Sequence, residues 1–535
     1  MKRLLAVFLI LCGGCAQASS SSLAAIEFIC GAEHRPAVSG PQRLSIEGGM
    51  GSGGFAIRTG DPEAQAWFDY GVKLFHAFYH SDAKLAFDRA VEHDPHCSMC
   101  LWGQALSRGA TQNYNVSDKE QKTALDYAVK AQTAAMTELE KALSAALVAR
   151  YSAKQDSKAE ENFAASLEAA QTLDPEAVDI SLIAAEALLT AAVRGDSKAA
   201  ERAVAIVEPI LKRDPDNTGA IHYYIHAAAW TGQSAQTESY AERLPDLAPK
   251  ASHLVHMAAH TFLAIGRYED AAIVNARALL ADAEHADATG LTGPLGTPVY
   301  YGHNLMVGMD GALMAGDSEL SVKFAHDADI AFNGTPSAEV RRYAYIGLAR
   351  FAPDEMLAVP PKRNGFLNLM RRYARGEAFA VKHDVASLKR EERALKAKLG
   401  RRPKKWTDET TLPVIADQVL EGRIAMLSGH PVQAARIFDK AAAFQEAHTC
   451  CEEPPAWWYP VRRSLAAAYL QAERYEEAAR EAKASLVRSP RDGLTLLVLS
   501  VAEEHLGQIE SAQQHQKEAV NAWLGDIGKI DIATI

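Results

Sequence analysis

The sequence predicts an all-α fold, a solenoid of stacked helix pairs, and three observations carry that expectation. The first is a 34-residue period: His222 and His226 recur as His256 and His260, and a fixed period of roughly 20–50 residues marks an array in which each repeat is one supersecondary unit. The second is punctuation by Asp-Pro and related breaks, at Asp94-Pro95, Asp174-Pro175, Asp214-Pro215, Ala248-Pro249 and Ser489-Pro490, with intervals of 40 and 34 residues between those at 174, 214 and 248. The third is the alanine-rich text between breaks, whose apolar residues follow helical spacing. A chain of 535 residues is long for one compact core, but a stack of repeats lengthens without enlarging its core.

Residues 1–18 read as a secretory leader, with Lys2 and Arg3, an apolar run from Leu4 to Leu11, and small residues ending in Ala16-Gln17-Ala18. The run is well short of the ~20 apolar residues that span a bilayer. Cleavage after Ala18 would therefore send a soluble protein to the periplasm or the exterior. The alternative is a lipoprotein anchored at Cys15 after Gly13-Gly14, against which Cys12 stands where a bacterial lipobox generally has Leu. No second apolar stretch suggests a transmembrane segment. The net charge of −11, about −13 once Lys2 and Arg3 are removed, argues against nucleic acid as a partner.

Residues 19–61 contain Ser19 to Ser22 and the run Gly48-Gly49-Met50-Gly51-Ser52-Gly53-Gly54, which cannot hold a helix. They predict an extended arm over the first repeat. Residues 62–360 form an N-terminal repeat block, interrupted over 281–310 by an irregular insertion containing Gly290, Gly293, Pro294, Gly296 and Pro298. Residues 361–411 read as a basic helical link: from Lys362 to Lys405 there are fifteen Lys or Arg against four Asp or Glu, with helical spacing between Gly376 and Leu399. A solvated helix bridging two blocks is expected there, in preference to a docking surface for a partner. Residues 412–535 form the C-terminal block.

The repeats share a turn. Gly266-Arg267-Tyr268-Glu269-Asp270-Ala271 and Glu473-Arg474-Tyr475-Glu476-Glu477-Ala478 have one form, and Gly507-Gln508-Ile509-Glu510-Ser511-Ala512 repeats it 34 residues after Ala478. These segments resemble the tetratricopeptide-repeat family over most of residues 62–524, best at 62–95, 198–280 and 413–520. The resemblance implies a tetratricopeptide-like superhelix whose first helices line a concave groove, and a peptide or protein partner held in that groove.

The histidines point elsewhere. The i, i+4 spacing of His222/His226 and of His256/His260 puts each pair on one helix face, and His253 lies three residues before His256. Matching Gly266 to Gly316 aligns a third helix, on which His303 takes the position of His253, Met306 that of His256 and Asp310 that of His260. Packed helices lie about 8–10 Å apart, a gap that two imidazoles leaning together could close through one ion. A transition metal held by His222, His226, His253, His256, His260 and His303, with Met306 and Asp310 within reach, is the leading expectation. Imidazole suits copper, zinc, nickel and iron; a thioether would favour copper and a carboxylate zinc or iron, so the sequence leaves the metal and any catalysis open. The plainer alternative makes these histidines interface contacts of Tyr223, Tyr224, Tyr300 and Tyr301. His76 and His80, another i, i+4 pair, are expected to be structural.

Five cysteines follow the leader, an odd number. Cys97 and Cys100 open a helix after an Asp-Pro break, and in an exported chain a local disulfide is the first expectation, ahead of soft-metal capture with His96 or thiol redox activity. Cys450 and Cys451 are adjacent and would pair with each other only through a strained ring, so separate fates are expected, a bridge from one of them to Cys30 being one option. Trp457, Trp458 and Tyr459 beside them are expected to pack an interface, or else to wall the groove. The sequence has no Gly-x-x-x-x-Gly-Lys-Ser/Thr loop, no His-Glu-x-x-His helix and no Gly-x-Ser-x-Gly elbow, so nucleotide-binding, zincin and α/β-hydrolase classes lack a motif.

Overall fold

A computed structural model of the chain describes residues 44–290, 300–332, 338–400, 403–449 and 454–535. The leader, Cys15, Cys30, Gly293 to Pro298, Cys450 and Cys451 lie outside the described residues, and so does the optional bridge to Cys30. Among the described residues there are twenty-four α-helices and no strand. The first eight are α1 (Pro62–His76), α2 (His80–His93), α3 (Ser98–Leu106), α4 (Asp118–Ala134), α5 (Glu138–Ser152), α6 (Ser157–Gln171), α7 (Val178–Val193) and α8 (Ala199–Arg213). The central eight are α9 (Thr218–Thr231), α10 (Glu238–Leu247), α11 (Ser252–Ile265), α12 (Tyr268–Thr289), α13 (Tyr301–Ala315), α14 (Ser318–Ala331), α15 (Ala338–Phe351) and the short α16 (Pro353–Ala358). The last eight are α17 (Gly365–Val381), α18 (Val385–Lys396), α19 (Asp408–Leu427), α20 (Pro431–His448), α21 (Arg462–Gln471), α22 (Tyr475–Arg488), α23 (Gly493–His505) and α24 (Ile509–Ala522). Each helix packs on the next, and α9, α11 and α13 also pack on one another in series. The fold is the tetratricopeptide-like helix-pair superhelix.

Local chemistry explains the boundaries. The Asp94, Asp214 and Ala248 breaks end α2, α8 and α10, because proline disfavours helical geometry in the residue before it. Asn217 caps α9 by accepting from the Ala220 amide, a favoured N-cap arrangement. Gly232, Gly266 and Gly316 close α9, α11 and α13 with φ of +70°, +78° and +70°, left-handed turns natural to glycine. Two of these turns are also close approaches: a Cβ on Gly266 would lie 2.1 Å from the Pro490 carbonyl oxygen, and one on Gly316 2.4 Å from the Trp523 ring. The superhelix thus returns its C-terminal repeats onto the ends of α11 and α13.

Three regions depart from the sequence expectations. The insertion expected over 281–310 is shorter: residues 281–289 continue α12, and α13 is under way from Tyr301. Burial keeps that helix going, since Asp282 accepts from Ser252 Oγ at 2.5 Å and from Asn304 Nδ2 at 2.8 Å. The basic stretch is no lone solvated bridge. It folds as the pair α17–α18, which buries Phe366, Leu367, Met370 and Tyr373 and satisfies Arg372 and Arg375 on Glu391 at 3.0 and 2.7 Å. The arm reaches further than the first repeat. Phe55 meets Phe68 of α1 and Trp102 of α3, while Ser52 N donates to Thr218 Oγ1 at 2.7 Å and Lys250 N to the Gly49 carbonyl at 3.0 Å. Residues 49–52 therefore run across the starts of α9 and α11. Cys97 and Cys100 form a disulfide, which removes both thiols from metal capture. Trp457, Trp458 and Tyr459 are buried in the C-terminal core.

Candidate metal centre

Helices α9, α11 and α13 are buried along nearly their whole length, which requires apolar or internally satisfied residues all round. Six histidines stand on them, each at most 4% exposed. They gather as two triads: in each, one nitrogen per ring lies within 4.8 Å of the others. The first joins His222 and His226 of α9 to His253 of α11, with His222 Nε2 at 3.1 Å from both His226 Nε2 and His253 Nε2. The second joins His256 and His260 of α11, whose Nε2 atoms are 3.0 Å apart, to His303 of α13.

The expectation of one common point gives way to two. His253 and His260 are seven residues apart on one helix, roughly 10 Å along its axis at ~1.5 Å per residue. Metal–nitrogen bonds of about 2.0–2.1 Å cannot close that gap. Helix α11 therefore divides its imidazoles, one towards α9 and two towards α13. Asp310 is buried one helical turn beyond Met306 and is not one of the three ligand atoms grouped in either triad. Met306 is buried one turn beyond His303 on α13.

Neighbouring groups fix the tautomer of one ring in each triad. His222 Nδ1–H donates to the His76 carbonyl at 2.7 Å, and a carbonyl can only accept. His256 Nδ1–H donates to Asn275 Oδ1 at 2.7 Å, the amide being held the right way round by Nδ2 donating to the Ala271 carbonyl at 2.8 Å. The Nε2 atoms of both rings are thereby lone pairs facing their triads. Metal-ligating histidines carry this kind of second hydrogen bond. The Nε2 atoms of His226 and His253 lie 3.1 Å from the first lone pair and that of His260 3.0 Å from the second, while His303 Nε2 has no hydrogen-bond partner among the described residues. Burial, reinforced by neighbouring imidazoles, pushes His303 down to about 3 and holds His226, His253 and His256 well below the ordinary histidine range. Burial likewise brings His222 to about 3, against the opposing hydrogen bond to His76. All of these rings are neutral near pH 7, the ligating form.

Phe78 covers the first triad. Its ring centroid lies 4.4 Å from that of His222 and 5.0 Å from that of His253, and its backbone has φ +60°, a conformation bulky residues rarely adopt. Tyr300 secures it by donating its hydroxyl to the Phe78 carbonyl at 3.2 Å. Of the other tyrosines, Tyr223 stacks on His222 and bonds His76 Nδ1 at 3.0 Å, Tyr224 turns away to Glu208 and Gln236, and Tyr301 is half-buried. His76 is bonded to Asp179 at 2.9 Å, and His80 packs against Phe75 and Phe78. Phe78, Asn275 and the orienting carbonyl of His76 were missed at the level of sequence, where no spacing or motif marks them. A third group, Glu392, Asp417 and Glu421, already surrounds a cation: Lys396 Nζ lies 3.3, 3.7 and 3.2 Å from them.

No family model matches the chain, and no curated protein matches its sequence. Among solved structures it is similar to the APC/C hetero-tetramer Cut9-Hcn1, at 13% identity over 88% of this chain and 74% of that one, with a TM-score of 0.29. It is similar to the P58(IPK) TPR domain at 12% identity over 83% and 98% of the two chains, TM-score 0.23. It is also similar to the human IFIT1 dimer with m7Gppp-AAAA at 13% identity over 87% and 91%, TM-score 0.29.

Proposed function

We propose that this chain is a transition-metal protein whose ligands are the imidazoles of the two triads. The observation that carries the reading is the fixed tautomer. His222 and His256 must each present a lone pair to two further imidazoles in a buried interior. Neutral rings can share protons in pairs, but three nitrogens around one point are better satisfied by a single electrophile. Export to the periplasm or exterior is part of the proposal, supported by the leader-like residues 1–18 and by the Cys97–Cys100 disulfide, a bond that persists in oxidising compartments.

A peptide or protein in the concave groove is the competing function, suggested by the fold. It has less support, because first helices in the C-terminal half already converge on the chain's own tail. Arg423 of α19 and Ser464 of α21 bond the Ile535 carbonyl, and Arg350 of α15 bonds that of Thr534. Elemental analysis of protein purified from the cell envelope decides between the two. Stoichiometric copper, zinc or iron is expected, and His226→Ala and His260→Ala should each lower the metal content. Less than a tenth of an equivalent, with no uptake on adding copper or zinc, would sink the proposal.

A further inference from the structure

Residues 527–535 lie in a seat built for backbone carbonyls. They follow α24 as two single turns, Ile527–Lys529 and Ile532–Thr534, each opened by an aspartate: Asp526 accepts from the Gly528 amide and Asp531 from that of Ala533. Ile527, Ala533, Thr534 and Ile535 are buried, while Leu524, Gly525 and Asp526 before them are exposed. The segment is a short, covered piece hung on an exposed joint.

The seat has a direction. Ser464 Oγ–H of α21 donates to the Ile535 carbonyl at 2.6 Å, so its oxygen is left to accept from the Tyr459 hydroxyl at 3.0 Å. The Tyr459 oxygen in turn accepts from Arg423 Nη2 at 3.3 Å. A guanidinium can only donate and a carbonyl only accept, which fixes every proton along this path. Arg423 Nη1 of α19 donates to the same Ile535 carbonyl, so both lone pairs of that oxygen are used. Arg350 Nη1 of α15 donates to the Thr534 carbonyl at 2.9 Å, and His383 meets the Asp531 carboxylate at 3.3 Å. Three donors on two successive carbonyls read main chain, as grooves for extended peptides do. Selectivity is left to the aspartate and to the aliphatic side chain buried four residues after it. Guanidinium and hydroxyl groups take up water when uncovered, so this seat tolerates opening where an apolar core would not.

We propose that α15, α19 and α21 form a peptide-binding groove that the chain holds shut with its own residues 527–535. A peptide of the same chemistry, an aspartate followed four residues later by a buried isoleucine, opens the groove by replacing them. The inference is independent of the metal reading, because the seat and the triads share no residue. The joint sets the strength of the closed state: a segment tethered so closely competes at an effective concentration on the order of millimolar.

The test cuts the joint after folding. A site-specific protease sequence is inserted between the exposed Gly525 and Asp526 of the full-length chain, and a fluorescent peptide of residues 526–535 is added before and after cleavage. Binding should be undetectable at micromolar peptide before the cut and saturable after it. Asp531→Ala or Ile535→Ser in the peptide, and Ser464→Ala in the protein, should each weaken binding by about tenfold. Failure of the peptide to bind the cut chain, equal binding before and after cleavage, or loss of helical signal on cutting would each overturn the proposal, the last because the segment is then a structural part of the fold. Hydrogen exchange decides the matter in the unaltered chain. The amides of Lys529, Ile530, Thr534 and Ile535, all bonded within the two turns, should exchange by local opening, roughly 100-fold or more faster than those of α19 and α21. Exchange of both groups at one common rate would show that the segment leaves its seat only when the fold is lost, and would overturn the groove.

Discussion

Two buried polar clusters of the superhelix, the arginine pairs of the C-terminal half and the imidazoles of α9, α11 and α13, are built in opposite ways, although buried pairs such as Arg150–Glu160 also occur in the N-terminal half. In the C-terminal half, Arg423 and Arg463 are each no more than 1% exposed, yet each meets a carboxylate, Glu377 at 3.4 Å and Asp492 at 3.3 Å. Arg423 also bonds the Tyr459 hydroxyl at 3.3 Å, and Tyr459 bonds Ser464 at 3.0 Å. Cations and acceptors there compensate one another within the chain. In the N-terminal half, six equally buried imidazoles face other imidazoles. Two of them are held by their neighbours in a form that presents lone pairs inward. Internal compensation is what a structural core requires; convergence of like donors is the feature on which the metal proposal rests.

The sharpest way to break this contrast is acid. His222 and His303 titrate at about 3 in the fold, and His226, His253 and His256 also lie well below the ordinary value of 6.5. Above pH 6.5 neither the folded nor the unfolded chain protonates these rings, and stability is unaffected. As the pH falls below 6.5 only the unfolded chain takes up protons, so stability is lost progressively until the folded values are reached. The cost is about 1 kcal/mol for each ring over the first pH unit. Denaturant titrations of metal-free protein at pH 7.0 and 5.5 should show a loss of several kcal/mol, on the order of 5 for five such rings. Equal stability at the two pH values would mean that the rings are not neutral and buried together.

A smaller effect separates the halves by mutation. Asp492→Ala strands the buried Arg463 guanidinium and should cost about 3–5 kcal/mol, the usual penalty for breaking a buried pair. Copper or zinc content should be untouched in whatever fraction folds. His256→Ala should do the reverse, lowering the metal content by the share of one triad while costing the metal-free fold less than the arginine variant. Thermal melts and elemental analysis of both proteins read the comparison directly, and a shared phenotype would show that the halves are not independent.

The smallest expected effect concerns orientation alone. Asn275→Ala leaves all six ligands in place but removes the acceptor that sets His256. Loss of such an outer contact typically lowers metal affinity by about 10–100-fold. Competition with a chelator should show this drop, while a substitution at Tyr224, whose hydroxyl faces Glu208 and Gln236, should not. No change in the Asn275 variant would remove the tautomer from the case for metal.

The sequence by itself determined the helix-pair superhelix, because a 34-residue period, proline breaks and left-handed glycine turns are local instructions written in each repeat. It also determined which helices carry imidazoles, since i, i+4 spacing fixes a face wherever the helix lies. It did not determine how those imidazoles divide. His253, His256 and His260 share one helix and look like one site until the spacing across α9, α11 and α13 sends the first to one neighbour and the others to the opposite one. Nor could it find Phe78, the His76 carbonyl or Asn275, which reach the triads from α12 and from the end of α1 and the turn after it. The same holds for the α17–α18 pair, where a basic composition hid an apolar face already matched by α15 and α19. Helical phase is set by covalent geometry within a few residues, whereas the partner of a ring nitrogen depends on distances between helices far apart in the chain, and only their packing decides it.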